Sequence, residues 1–389
     1  MGSLTRLIIF LSIFATITRK AKSQYLLPIT KHELTNRFYT TLNFGSATKS
    51  PVNLLLDLET NLTLLNCLQV KPPLTVYLVP CQSSTCKSIP GNDCDGLACL
   101  YRQSNLLGQN VTDDDGKFLS QVSVDPFTFS CTGRKPFQAL PPPIAGVLVL
   151  SPGSSSFTKQ VTSFLRVIPK FSLCLPSSGT GHFYIAAVHY FIPPFNGSDN
   201  PIPMTFTPFE NIDSGNYLIY IISIYVDGTP LSLNPNLLKG GAKLSTVVPY
   251  TVLHTDIYNA LAQSFTLKAK KMGISKVQAI APFKDCFDAR AAGKNMTGPN
   301  VPVIDIGVPG RGGEVKWRFH GANIVVNVTE TVMCLAFLDG GKKPEELMVV
   351  GTHQLQDYMI EIDFSASLLA FSDSLLLHNS SCSTWPSQK

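Results

Sequence analysis

The chain has 389 residues, 44% of them apolar and 15% charged, with 27 Gly and 28 Pro spread along it. That length is long for one core and favours two lobes, and the apolar content excludes a disordered chain. The formal charge of +5 falls to 27 bases against 26 acids once residues 1–23 are set aside, so charge gives no ground for binding nucleic acid or an anionic membrane.

Residues 1–23 carry Arg6, the apolar run LIIFLSIFATI (7–17) and the small-x-small stretch Ala21-Lys22-Ser23. They are expected to be a secretory signal peptide, removed before Gln24; the run is too short to span a bilayer. FYTTLNF (38–44) reads as a strand. NLLLDLETNLTLLNC (53–67) is an apolar run that ends on Asp57 and is followed by Leu58 and Glu59. A buried strand that stops on a carboxylate marks Asp57 as a candidate catalytic group, or as the remnant of one.

Six cysteines follow closely, Cys67, Cys81, Cys86, Cys94, Cys99 and Cys131; Cys174, Cys286, Cys334 and Cys382 complete an even ten. CQSSTC (81–86) and CDGLAC (94–99) could be taken for zinc ligands, but an even count in a secreted chain is read as disulfides. No metal or other cofactor is expected. Asn61, Asn110, Asn196, Asn295, Asn327 and Asn379 open N-glycosylation sequons, Asn61 close to predicted buried strands.

PIAGVLVLSP (143–152) is a strand before a helix near 158–168, and Pro clusters in NPIPMTFTPF (200–209) suggest a boundary between lobes. The expected division is 24–203 and 204–389. In the second half YLIYIISIYV (217–226), IVVNV (324–328) and MIEIDF (359–364) are strands, and DIYNALAQSFTLKAKKM (256–272) is the best helix, with Thr255 as its expected N-cap. GRGGEVKW (310–317) lacks the Lys-Ser/Thr of a phosphate loop and is read as a turn between strands. The class is mainly β. The halves also echo each other: NLLLDLETNLTLL resembles GAKLSTVVPYTVL (241–253), with Asp57 aligned on Ser245, and PIAGVLVLSP is matched by LMVVGTHQLQD (347–357).

NLLLDL…C (53–67), KFSLCLP (170–176), GGAKLSTVVPYTVLHTDIYNAL (240–261), VPVIDI (301–306), WRFHGAN (317–323), VGTHQLQDYMIEID (350–363) and the terminal Cys382 together resemble the plant pepsin-fold extracellular glycoproteins and glycosidase inhibitors. That family includes the basic 7S globulins, extracellular dermal glycoproteins, and the xyloglucanase and xylanase inhibitors. The resemblance implies a bilobal pepsin-like (aspartic protease) fold, secreted to the apoplast or cell wall. Pepsin-type hydrolysis needs two carboxylates sharing a proton, each in an Asp-Thr/Ser-Gly turn. Here the turns read Asp57-Leu58-Glu59 and Ser245-Thr246-Val247, so the second acid and both glycines are missing. Asp57 is then vestigial, held by Ser245 or by nearby backbone N–H groups, and Glu59 and Asp305 are not expected to replace the lost acid. A Ser245, His254 and Asp256 grouping is set aside because 254–256 falls at a helix start.

The resemblance further implies that DGKFLSQVSVDPFTFSC (115–131) is where a flap would lie, yet it holds no tyrosine and leaves little room for a long hairpin. GVLVLS (146–151) carries Val149 and Ser151 where small residues are expected, which would fill the floor of a cleft. Cys286 with Cys334, and Cys174 with Cys382, are the bridges the family pattern implies, the second tying the tail back to the N-lobe region. Pairing of the other six is open. His378, four residues before Cys382, matches the position of the tail histidine that plugs the active site in cereal xylanase inhibitors; a solvent-exposed tail histidine is the plain alternative. The implied partner is a microbial glycoside hydrolase, or a peptide ligand if the chain is a storage or peptide-binding globulin, and a weak aspartic protease is the third reading.

Overall fold

The computed structural model describes residues 25–44, 50–70, 77–102, 105–106, 109–110, 119–124, 127–132, 137–138, 140–210 and 215–384. The leader expected over 1–23 lies outside the described residues, as do 115–118 and 125–126 of the stretch discussed as a flap. The chain is mainly β and divides into two compact units. One takes in the described residues as far as Phe171, with Phe183–Ala187 and 215–216; the other takes in Ser172–His182, 188–210 and the described residues from Tyr217 onward.

In the first unit Tyr25–His32, Arg37–Phe44 and Ser50–Asp57 form an antiparallel meander, with Tyr39 opposite both Thr30 and Leu55. Arg37–Phe44 alternates: Phe38, Thr40, Leu42 and Phe44 face inward, as a strand with one covered face requires. Ser50–Asp57 instead ends in four consecutive buried residues, Leu54 to Asp57. Here the strand is interior to its sheet, between Arg37–Phe44 and Ile144–Val149. Ile144–Val149, buried throughout, runs parallel to it with Val149 opposite Asp57, and a strand covered on both faces reads as an unbroken apolar run. Ile144–Val149 also pairs antiparallel with Leu64–Asn66, which runs parallel to Thr128–Thr132. A helix follows at Phe157–Leu165; Ser156 caps its start and Arg166, in the left-handed region at φ 55°, ends it.

The second unit repeats this order. Ala242–Leu244 runs parallel to Met348–Val350, which pairs antiparallel with Thr251–Leu253, itself parallel to Phe337–Asp339. A short helix, Thr352–Leu355, follows as the longer one does in the first unit. The internal echo in the sequence is therefore a repeat of one strand topology. The long helix spans Thr255–Lys271 and buries Ile257, Tyr258, Leu261, Ala262, Phe265 and Ala269 along one face. Its N-cap is His254, a correction of the expected Thr255: the His254 ring accepts from the Asp256 N–H (3.2 Å), while the Thr255 hydroxyl donates to Asp339 (2.6 Å). Ile304–Gly310 and Gly313–Phe319 form a hairpin turning at Arg311-Gly312, with Gly313 at φ 130°, so the 310–317 stretch is a turn between strands.

All ten cysteines are bridged. Cys67–Cys131, Cys81–Cys94 and Cys86–Cys99 lie in the first unit, Cys286–Cys334 and Cys174–Cys382 in the second. Cys174 belongs to the same compact unit as Cys382, so the tail bridge closes that unit on itself instead of reaching the first.

Gly146 marks a close approach of backbones in the first repeat. A Cβ there would meet the Leu64 carbonyl oxygen at 2.4 Å and the Leu54 side chain at 2.7 Å. The backbone of a strand fixed on both sides has little room to move aside. Gly146→Ala is expected to destabilise the protein by about 1–3 kcal/mol, read as a lower urea midpoint with an unchanged slope.

Candidate functional site

Asp57 ends its strand almost fully buried, at 1% exposure. Its Oδ1 accepts from the N–H groups of Glu59 (2.7 Å) and Thr60 (3.3 Å), and its Oδ2 accepts from the Thr60 hydroxyl (2.9 Å). The Asp57 carbonyl takes the N–H of Leu150 at 2.7 Å. Backbone N–H groups thus hold the carboxylate, as one of the two expected arrangements has it, and Thr60 adds a hydroxyl that sequence reasoning passed over. Ser245, at the matching place in the second unit, is also buried. Its Oγ accepts from the N–H groups of Val247 (3.1 Å) and Val248 (3.0 Å), the same two positions downstream that serve Asp57. One turn is built on a carboxylate and the other on a hydroxyl, with one hydrogen-bond pattern.

A second matched pair lies six residues further on. The Thr63 hydroxyl accepts from the Val149 N–H and the Thr251 hydroxyl accepts from the Gly351 N–H, both at 3.1 Å. Both threonines are buried and tie the middle strand of each repeat to the turn. The sequence carries this signal as Thr at the same offset from Asp57 and Ser245.

Burial pushes the Asp57 carboxyl up to about 6; the Glu59 charge adds to the rise, and the hydrogen bonds from Glu59 and Thr60 oppose it. Tyr101 is the further neighbour. The strand Ala98–Arg102 pairs antiparallel with Leu119–Val124, so the arm of this hairpin begins well before residue 115. It carries a tyrosine, which corrects the expectation drawn from 115–131. Tyr101 is buried, its hydroxyl accepts from the Asn61 backbone, and burial first and then the Asp57 charge raise its pKa.

The remaining candidates separate by environment. Asp305 is wholly buried and meets the Arg318 guanidinium through two hydrogen bonds (2.7 and 3.1 Å) from the facing strand, which makes it a structural ion pair. The His254 ring is occupied by its cap contact to Asp256 and by the Lys342 carbonyl (2.9 Å). Among the described residues no group of three or more His, Cys, Asp or Glu side chains is placed to hold a metal ion. His378 is exposed at the end of the 3-10 turn Leu375–His378, with its ring edge-on to Phe195 and the centroids 5.1 Å apart. Of the sequon asparagines, Asn196, Asn295, Asn327 and Asn379 are exposed and Asn61 is half-buried; the Asn110 side chain lies outside the described residues.

Residues 38–185 match the family model described as xylanase inhibitor N-terminal, and residues 216–373 match xylanase inhibitor C-terminal. Gamma conglutin 1 of Prunus dulcis is 34% identical over 321 residues, covering 78% of this chain and 72% of the relative. The chain belongs to the xylanase-inhibitor family. Another relative, the probable aspartic proteinase GIP1 of Glycine max, is 28% identical and covers 95% of this chain and 94% of its own length. The crystal structure of edgp matches with a TM-score of 0.83 at 26% identity, over 94% of this chain and 98% of that one. The fold is the pepsin-like two-lobed fold of this family, and the Asp57 and Ser245 turns occupy corresponding places in its two halves.

The raised Asp57 pKa has a defined sign. A carboxyl whose folded pKa lies above its ordinary 3.8 favours the folded state fully below that value, and the benefit is lost as pH rises through about 6. Lowering the pH from 7 to 4.5 should therefore stabilise the wild type relative to Asp57→Asn, which keeps the Oδ1 acceptor, by about 2 kcal/mol. Denaturant unfolding of both proteins at the two pH values measures the difference; equal pH responses would show that Asp57 does not titrate in this range.

Proposed function

We propose that the protein is a secreted, proteolytically inactive member of the xylanase-inhibitor family that inhibits microbial cell-wall glycoside hydrolases of the xylanase or xyloglucanase class. The observation that carries the loss of proteolysis is Ser245. A hydroxyl that accepts two backbone N–H groups supports its turn as Asp57 supports the other, but it cannot ionise or share a proton with a second carboxyl. Asp57 alone leaves water without a partnered base, and each general acid–base contribution is worth about 10²–10⁴-fold.

The inhibitory reading is supported by the family and by His378. Retaining glycosidases hold two carboxyl groups about 5–5.5 Å apart, a spacing that a single imidazolium can address with both ring N–H groups. His378 stands exposed on a turn held from both sides. The Leu375 N–H bonds the Asp357 carbonyl (2.9 Å), the Ser380 hydroxyl donates to the Pro193 carbonyl, and Cys382 is bridged to Cys174. A side chain presented on a fixed turn loses less entropy on docking. A storage or peptide-binding globulin is the second reading, favoured by the conglutin named among its relatives. Residual aspartic protease activity is the third, and cleavage of a denatured protein at acid pH, abolished by Asp57→Asn, would establish it.

The secreted protein is expected to inhibit at least one member of a panel of xylanases and xyloglucanases at about pH 5, and His378→Ala should weaken that inhibition by about a hundredfold, the loss of a charged hydrogen-bonded contact. Undiminished inhibition by the variant would move the contact to other loops of the second unit. No inhibition across the panel would favour the globulin reading.

A further inference from the structure

We propose that Asn196 and Asn379 carry N-linked oligosaccharides that frame His378, so that occupancy of these two sequons divides the molecules into a covered form and an open form. The proposal rests on the reading of His378 as a docking side chain and adds covalent control of its access.

The two sequons, Asn196-Gly197-Ser198 and Asn379-Ser380-Ser381, are far apart in the chain and meet at one place in the fold. His378 packs edge-on against Phe195, the residue before Asn196, and is itself the residue before Asn379. Asn196 and Asn379 are both exposed, while Phe195 is buried, so each asparagine lies one residue from a member of the ring pair. Adjacent Cα atoms are about 3.8 Å apart, and the first sugar of a glycan is wider than that. On that spacing a glycan at either asparagine would stand beside the His378–Phe195 pair.

What gives this proximity consequence is the rigidity of both carriers. Asn379 sits in the left-handed region at φ 51° and ends the 3-10 turn, and its N–H bonds the Leu376 carbonyl (3.2 Å). On either side the chain is buried, at Leu375 and at Ser380. The Cys382 N–H is held by the Asp357 carboxylate at 2.9 Å. On the other carrier the Asn196 N–H bonds the Asn200 carbonyl (3.1 Å), and the Asn200 side chain donates to the Pro194 carbonyl (3.1 Å), closing a small loop. Gly197, at φ 79°, lies so close to the Phe191 ring that a Cβ would meet it at 2.5 Å. With its ring seated on Phe195, His378 has no loose segment on which to swing clear of a glycan.

The other sequons are set differently. Asn61 is half-buried beside the Asp57 turn. The Asn295 side-chain oxygen is taken by the Thr297 N–H and hydroxyl, both at 2.9 Å, on a separate hairpin. In the transfer reaction the Asn side-chain nitrogen forms a bond to C1 of an oligosaccharide carried on a lipid diphosphate. The C1–O bond to the diphosphate breaks, the lipid diphosphate leaves, and the amide proton passes to a base of the transferase.

The full chain, secreted from a eukaryotic cell that glycosylates, provides the test. Mass spectrometry of peptides released by amidase in heavy-oxygen water should find both asparagines converted. Diethyl pyrocarbonate should then modify His378 about tenfold more slowly in the glycosylated protein than in Ser198→Ala/Ser381→Ala, which keeps both asparagines but removes the acceptor hydroxyls. Amidase-treated wild type, whose two asparagines have become aspartates, should match Asn196→Asp/Asn379→Asp, which separates the glycan from the charge the amidase leaves beside His378. Unmodified asparagines, or equal reaction rates with and without the glycans, would overturn the proposal. Hydrolase inhibition measured on the same samples distinguishes the two readings: slower labelling with no inhibition in any form would reject His378 as an inhibitory contact and leave the covering by glycans standing.

Discussion

Two backbone N–H groups at the end of a buried strand need an acceptor, and this need is met twice in the molecule. In one unit Asp57 takes the N–H groups of Glu59 and Thr60; in the other Ser245 takes those of Val247 and Val248. Leaving such groups unpaired in the interior would cost about 1–3 kcal/mol each, so some acceptor must stand at both positions. The fold asks for an oxygen with lone pairs. Paired-carboxylate chemistry asks for more, an acid at both positions. Serine satisfies the first demand and not the second, so this turn keeps its hydrogen bonds without a second carboxylate. The repeat also explains how the serine is accommodated: Thr63 and Thr251 secure the neighbouring strand in each unit without help from the carboxylate.

Asp57 itself remains under tension between two effects. Three hydrogen bonds favour its ionised form, while burial and the Glu59 charge oppose it more strongly. In a catalytic pair a raised pKa serves proton transfer. Here it makes the turn a pH-dependent element of stability, favoured in mildly acid surroundings. Tyr101 belongs to the same local balance, since its hydroxyl is fixed by the Asn61 backbone within range of the Asp57 charge.

Much of this was legible in the sequence because the repeat is written in residues that must be buried or must accept a hydrogen bond. The apolar run before Asp57, the short Ala242–Leu244 strand before Ser245, and their partners at 144–149 and 348–350 share one strand order in the two units. Other features depend on tertiary neighbours that no local pattern records. Tyr101 is one such case: it sits on Ala98–Arg102, and only the pairing of that strand with Leu119–Val124, distant in sequence, relates it to the 115–131 stretch. His254 displaced Thr255 as the cap because Asp339, distant in sequence, claims the threonine hydroxyl. The pairing of Cys81 with Cys94 and Cys86 with Cys99 could not be read from spacing, since six cysteines allow 15 connectivities. Their register follows from the strand pair Asn92–Asp95 and Ala98–Arg102, which sets Cys94 opposite Cys99 and leaves each to bond outward.

The tail shows how one set of restraints can serve stability and recognition together. Leu375, Ser380 and Cys382 are buried and anchored, and the three residues between Leu376 and Ser380 are the exposed remainder. A loose tail would let His378 sample many positions, so a neighbouring glycan would matter little and a partner would bear the cost of ordering it. The Cys174–Cys382 bridge and the Phe195 contact remove that freedom. For the docking role proposed for His378, fixing the imidazole would improve its value as a contact and, for the same physical reason, would make it sensitive to a glycan at Asn196 or Asn379. In that proposal presentation and covering are two results of one rigid turn.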